Sequence, residues 1–231
     1  MNVSLYRIFN ALGDSIILAS YFKHYSVKTV YYNRGDFKTL LKILEIAKVE
    51  VPEFVQIDGR ITETMPDLLY QMRIDKAPLI SITNRSKAEH STFQFKTNSD
   101  NAADRALTAE EVNENLSKLT NPKDTLDCKD IDSLLKLMKK SERHITIDSG
   151  TAWLAAALKI PTTVISKNSY YFADAYHYMR YLQTQPGVTV YQQTGKGVRV
   201  ATEEQYYQYS KENKVSVPPY ADYQKKTLRI G

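Results

Sequence analysis

The chain has one cysteine, Cys128, in 231 residues. That excludes an internal disulfide and a zinc site built on several thiolates, and it fits a reducing compartment, so a cytoplasmic protein is expected. Long apolar runs are missing as well: none approaches the roughly 18 to 20 residues that a membrane-spanning helix needs. The opening stretch, MNVSLYRIFNALGDSIILAS, has no charged segment ahead of an apolar one and is interrupted by Arg7, Asn10 and Asp14, so it reads as structure rather than as a targeting signal. Neither the G-x-G-x-x-G of a dinucleotide fold nor the G-K-[ST] of a P-loop occurs, which leaves hydride transfer and Walker-type ATP hydrolysis without support. His24, His90, His144 and His177 show no metal-ligand spacing and read as surface or packing residues. No Asp-x-Asp pair follows a predicted strand.

What is present is ordinary for a globular protein: 42% hydrophobic and 25% charged residues, in a chain long enough for one large α/β domain or two small lobes. The formal charge of +5 is unevenly spread. Residues 159 to 231 hold ten Lys/Arg against five Asp/Glu; subtraction from the totals of 31 and 26 leaves twenty-one of each in residues 1 to 158. That last third also holds eleven of the seventeen tyrosines, including the run YYFADAYHYMRYLQ. Two readings stand: a basic, aromatic surface for a partner carrying phosphates and stackable rings, or tyrosines packing a helix on the core beneath solvated charges.

Apolar runs alternate with helical patterns along the chain. Strands are predicted at 3–9, 29–32, 53–57, 78–83, 144–147 and 162–166. Helices are predicted near 15–25, 37–48, 64–73, 108–119, 129–140, 150–158, 170–183 and 202–212. Repeated strand-helix-strand units predict an α/β fold with parallel sheets. The stretch NRSKAEHSTFQFKTNSDNAADRALT is polar enough to be expected as a functional loop. In QTGKGVRV, Gly195 and Gly197 flank Lys196, first a basic hairpin turn and second a phosphate contact. A lobe boundary is placed near residue 75, giving segments 1–75, 76–205 and a basic, Tyr-rich 206–231.

Two predicted strand-to-helix turns carry chemistry-bearing residues. Such turns attract anions, because the first N–H groups of a helix lack partners and its dipole is positive there. In FNALGDS, Gly13 permits a tight turn and Asp14 stands at the start of the helix, where it either caps the helix or faces a crevice. In HITIDSGTAWLAAALKIPTTVIS, Asp148 ends a strand and Ser149, Gly150 and Thr151 make the turn. That turn is either a capped helix behind a buried strand or a diphosphate cradle of hydroxyls and N–H groups.

Together these two segments resemble the signature segments of the heptosyltransferase-like glycosyltransferases, family 9 of the GT-B fold. The early family pattern is G-x-G-D before an apolar helix. The late one is D-[ST]-G-x-x-H-L-A-A-A-L-G-x-P, in which Asp148, Ser149, Gly150, Leu154, Ala155, Ala156, Ala157, Leu158 and Pro161 fall in register. The match covers roughly residues 1 to 30 and 125 to 166. The chain departs from it where Ala11 replaces the first glycine and Trp153, the one tryptophan, replaces the family histidine. It is also short for the family, implying a trimmed form such as a virus might encode, and then a host-cytoplasmic location.

The resemblance implies two small Rossmann-like lobes with parallel sheets, a trimmed GT-B arrangement, with the acceptor on the first lobe and a nucleotide-sugar on the second. Asp14 then corresponds to the general base that takes a proton from the acceptor hydroxyl, with Gly13 and Asn10 on the acceptor side. Asp148, Ser149, Gly150 and Thr151 correspond to the donor site, and Arg85 and Lys87 to the cation that stabilises the departing diphosphate. No cofactor beyond the UDP-, GDP- or ADP-linked sugar is implied, and inversion without a metal is expected. The acceptor is expected to be anionic. DNA carrying a hydroxymethylated base is favoured slightly over a membrane glycolipid, because flipping and stacking a base uses cations and aromatics. A non-catalytic nucleotide- or nucleic-acid-binding protein and a sugar-nucleotide epimerase are the alternatives.

Overall fold

The computed structural model describes residues 1–59, 61, 63, 65–83, 85–97, 106–167, 173–194 and 197–198. Two sheets organise them. The first contains β1 (Asn2–Ile8), β2 (Thr29–Gly35) and β3 (Glu53–Gln56) in that order, all parallel, joined by α1 (Leu12–Tyr25) and α2 (Lys38–Ile46). After α3 (Met65–Ile74) the chain enters the second sheet. Its strands are β4 (His90–Gln94), β5 (Lys123–Asp124), β6 (Ser141–Ile147), β7 (Thr162–Lys167), β8 (Val188–Thr194) and β9 (Gly197–Val198). They lie in the order β5-β4-β6-β7-β8-β9, parallel throughout except for the antiparallel β8–β9 pair. The helices α4 (Ala109–Leu116), α5 (Ile131–Lys139), α6 (Gly150–Ala157) and α7 (Ala173–Gln183) accompany it. This is the α/β fold with two parallel, Rossmann-like sheets that the alternating pattern predicts.

Local chemistry sets the helix ends. Thr108 and Glu111 exchange side-chain and backbone bonds at the start of α4, and Asp130 and Ser133 do the same at α5. α1 stops where Ser26 turns left-handed (φ 50°) and its N–H returns to the Phe22 carbonyl. The exposed edge of β1 is covered by Glu63, whose side chain accepts from Ser4 N–H at 3.2 Å and whose carbonyl accepts from Tyr6 N–H at 3.1 Å.

One hydrophobic cluster runs through both sheets, from Val3 and Leu5 on β1, through α1, α2, α3 and α6, to Val164 and Val190. A smaller one, Phe95, Leu107, Ile145, Ile147 and Ile165, fills the opposite face of the second sheet. α1 is buried from Ser15 to Phe22 and α6 from Thr151 to Ala157, so both are internal helices. Their lack of a polar stripe follows from that position.

Two expectations are corrected. The apolar run at 78–83 is no strand but a linker laid along the helices, its Ile80 N–H bonded to Ser20 Oγ (2.9 Å) and its Ile82 N–H to the Ala157 carbonyl (2.9 Å). The polar stretch expected as a functional loop contains β4, an internal strand of the second sheet. The hairpin read at 193–200 corresponds to the antiparallel β8–β9 pair, with Gly195 and Lys196 outside the described residues. The helix expected at 202–212 and the segment 206–231 also lie outside them.

Candidate functional site

β1 and β6 each lead at their C-terminal ends into an internal helix, and the two turns touch. A Cβ placed on Gly150 would lie 2.9 Å from Leu12 Cβ and 3.2 Å from the Gly13 nitrogen. A Cβ on Gly13 would lie 3.0 Å from Trp153 Cδ1. All three distances are tighter than ordinary van der Waals contact, so the two glycines let the first turn of α1 lie against the first turn of α6. Farther along, the linker bonds to Ser20 on α1 and to Ala157 on α6. The two helices therefore run side by side in the same sense, with both positive ends at one mouth.

Asp14, in the first turn of α1 and half-buried, is the carboxylate at that mouth. Its Oδ1 accepts a hydrogen bond from the Tyr178 hydroxyl on α7 at 2.7 Å. Tyr178 meets Trp153 edge to face (5.9 Å between centroids), and Tyr181, one turn on along α7, stacks on the indole with the ring planes 11° apart. Trp153, 2% exposed, is thus a packing residue, and two tyrosines of the YYFADAYHYMRYLQ run pack a helix on the core. Asn10 does not face the mouth as an isolated polar group: its Oδ1 accepts from Thr39 N–H at 2.9 Å and tethers the β1–α1 turn to the start of α2.

At the second turn, Asp148 is half-buried at the end of β6, and Ser149 precedes α6 in an extended conformation. The Ser149 and Thr151 hydroxyls are engaged inward. Ser149 Oγ lies 2.9 Å from Thr146 Oγ1 and from Thr151 Oγ1, and 3.3 Å from Gln94 Oε1. Thr151 Oγ1 reaches Gln94 Oε1 at 2.8 Å and His144 Nε2 at 2.9 Å. The other ring nitrogen, His144 Nδ1, meets Thr92 Oγ1 at 3.0 Å. Thr92 in turn meets Ser141 Oγ at 2.8 Å, and Ser141 donates to the Arg143 carbonyl at 2.7 Å. The Gln94 amide is oriented by its Nε2 donating to the Lys96 carbonyl.

From Gln94 through Thr151, His144, Thr92 and Ser141 to the Arg143 carbonyl there are five contacts. Three hydroxyls and a neutral imidazole supply four protons to them. A second ring proton would complete the string, but burial opposes the charge and pushes the imidazole down to about 3. The hydroxyls at the turn therefore share protons with a fully buried, neutral histidine, and what the turn presents to an anion is the positive end of α6.

Arg85 and Lys87 are not brought to this turn. The Arg85 guanidinium donates to the Ser141 carbonyl (2.6 Å) and the Lys159 carbonyl (3.2 Å), and Lys87 is exposed beside it. Ser141 begins the seven-residue β6 whose far end leads to Ser149, so Arg85 sits about 20 Å from the turn at roughly 3.3 Å per residue.

Gln94, Thr146, His144 and Tyr178 belong to the site although the sequence reading did not select them. For the first three the available signal was polarity at inward-facing positions of HSTFQ and HITI, which a buried strand tolerates only with partners. Among the described residues no cluster of three or more His, Cys, Asp or Glu could hold a metal ion, and no helix is long and apolar enough to cross a membrane.

No protein-family model matches the chain, and no curated protein matches it. Among solved structures it is similar to the bacterial iron-containing dodecameric glycosyltransferase TibC from enterotoxigenic E. coli H10407, with a TM-score of 0.47 and 11% identity. The likeness covers 84% of this chain and 64% of that one, so the chain spans less than two thirds of the length of the protein it resembles.

Proposed function

We propose that the chain is a glycosyltransferase that moves a sugar from a nucleotide-sugar to an acceptor hydroxyl at the mouth between α1 and α6. The observation that carries this reading is the contact between the two glycine turns, which puts the Asp14 carboxylate and the N-terminal end of α6 at one opening.

In this reading the donor diphosphate lies at the Asp148-Ser149-Gly150-Thr151 turn, where the N–H groups and the dipole of α6 stabilise its charge as the anomeric bond breaks. Asp14 accepts the proton of the attacking hydroxyl, with inversion at the anomeric carbon and no metal in the step. Gly13 keeps the mouth narrow, and Asn10 holds the turn that carries Asp14. Arg85 and Lys87, at the far end of β6, take no part. The acceptor is anionic, either a hydroxymethylated base in DNA or a glycolipid.

A thermal-shift screen of UDP-, GDP-, ADP- and CMP-sugars tests the donor: a selective ligand at about 100 times its Kd adds roughly 2.7 kcal/mol to stability. Asp14→Asn is expected to abolish transfer while donor binding persists, and unchanged transfer would remove Asp14 from the mechanism. No response to any donor would count against a sugar-transfer site. Conversion of the donor without acceptor would indicate an epimerase instead. Mass analysis of hydroxymethylated DNA and of glycolipid after incubation with the selected donor separates the acceptors.

A further inference from the structure

A hollow of about 890 Å3 opens at the other end of the helix pair, between the C-terminal parts of α1 and α6 and away from Asp14. It lies at the upper end of the range in which small-molecule sites fall, roughly 300 to 1,000 Å3. Its walls are fixed by bonds between separate elements: Ile80 N–H to Ser20 Oγ at 2.9 Å, Leu79 N–H to Gln185 Oε1 at 3.3 Å, and Ile82 N–H to the Ala157 carbonyl. The hollow is therefore a built feature of the seam. Leu79, Ile80, Ala156 and Pro186 give it an apolar lining.

Its charge is of one sign. Lys23, His24 and Lys159 line it and are exposed, and no Asp or Glu does. A lysine near the end of a helix ordinarily answers the negative pole. Here other cations already do so: the Met1 ammonium donates to the Ser26 carbonyl that closes α1 (2.9 Å), and Arg85 donates to the Lys159 carbonyl just beyond α6 (3.2 Å). Neither Lys23 nor Lys159 is in an ion pair with a described carboxylate. Two unpaired ammonium groups over an apolar, walled hollow are complementary to a molecule with an anionic head and an apolar body.

We propose that this hollow binds an amphiphilic organic anion, a phosphate or carboxylate head on an apolar chain or ring, with the head between Lys23 and Lys159 and the body against Leu79, Ile80 and Ala156. The site is separate from the mouth at Asp14 and stands whether or not sugar transfer occurs there. A bound molecule would touch α1, the linker and α6 at once, so it would hold the two sheets together at their seam.

Titration calorimetry on the full chain with octyl phosphate, octanoate, octyl glucoside and inorganic phosphate, below the micellar range, tests it. Octyl phosphate or octanoate is expected to bind at least about tenfold tighter than either inorganic phosphate or octyl glucoside, a margin of about 1.4 kcal/mol. Lys23→Ala/Lys159→Ala, changing two exposed residues, should remove that margin with an unchanged urea midpoint. The exposed control pair Lys123→Ala/Lys129→Ala should retain it. Ser81→Trp, which fills the hollow from the linker, should block the charged and uncharged octyl compounds alike. Equal binding of octyl glucoside, unchanged affinity in the lysine variant, or no heat with either anionic amphiphile would overturn the proposal.

Discussion

The Tyr178 hydroxyl donates a 2.7 Å hydrogen bond to Asp14 Oδ1, joining two residues 164 positions apart and tying α7 to the first turn of α1. The same phenol ring stands edge-on to Trp153, so one side chain both braces the indole and holds the carboxylate at the mouth.

Tyr178→Phe separates these roles, because the ring and its contact with Trp153 are retained while the hydrogen bond is lost. The expected cost is about 1 to 2 kcal/mol, read as a lower urea midpoint with an unchanged slope. If sugar transfer occurs at Asp14, the same variant should alter the pH profile of kcat, since the carboxylate loses the Tyr178 bond.

Gly150→Ala tests the contact between the two turns. The added methyl would meet Leu12 Cβ at 2.9 Å and the Gly13 nitrogen at 3.2 Å, and a backbone atom cannot move aside without shifting the helix. A destabilisation of roughly 1 to 3 kcal/mol is expected from overpacking. Gly13→Ala should act similarly through the buried Trp153 ring, and the indole fluorescence should report the shift.

His144 predicts an acid dependence. Its imidazole, pushed down to about 3 by burial, titrates near 6.5 in the unfolded chain. The unfolded state therefore binds the extra proton between those values, and the stability from the neutral ring is fully present above about pH 6.5 and lost as pH falls towards 3. The slope attributable to this group approaches roughly 1.4 kcal/mol per pH unit inside the window. His144→Gln should show a correspondingly flatter loss of stability between pH 6 and about pH 4 than the parent chain, measured by urea unfolding at each pH.

Ser20→Ala removes the acceptor for the buried Ile80 N–H. An unsatisfied buried donor costs about 1 to 3 kcal/mol, and hydrogen exchange at the Ile80 amide should accelerate well beyond the global change. Retained protection there would show that the linker is held by packing alone.

Much of the architecture was legible because most strands and helices carry simple signals. The apolar runs at 29–32 and 162–166 became β2 and β7, and the capping residues Thr108 and Asp130 mark helices that begin where they stand. Apolarity misled in two places for one reason, that burial and strand pairing are separate properties. Residues 78–83 are apolar because helices enclose them, and their N–H groups find a hydroxyl and a helix carbonyl instead of a neighbouring strand. HSTFQ is polar yet forms an internal strand. Ser91 there donates to Glu142, and Thr92 and Gln94 are partnered by Ser141, His144 and Thr151, contacts that no single segment reveals. Gly13 and Gly150 were each readable as turn residues. That each is glycine because of the other turn's surroundings required the fold.

The hydrophobic cluster that includes Val3, Leu5, Trp153 and Val190 crosses from one sheet to the other without a break. The first sheet therefore has no core of its own to fall back on, whereas the second keeps the smaller cluster around Ile145 and Ile147. Heating should produce one calorimetric transition rather than two, and a fragment ending at residue 75 should remain unfolded when expressed alone, because α1 would present to water the face that α6 now covers.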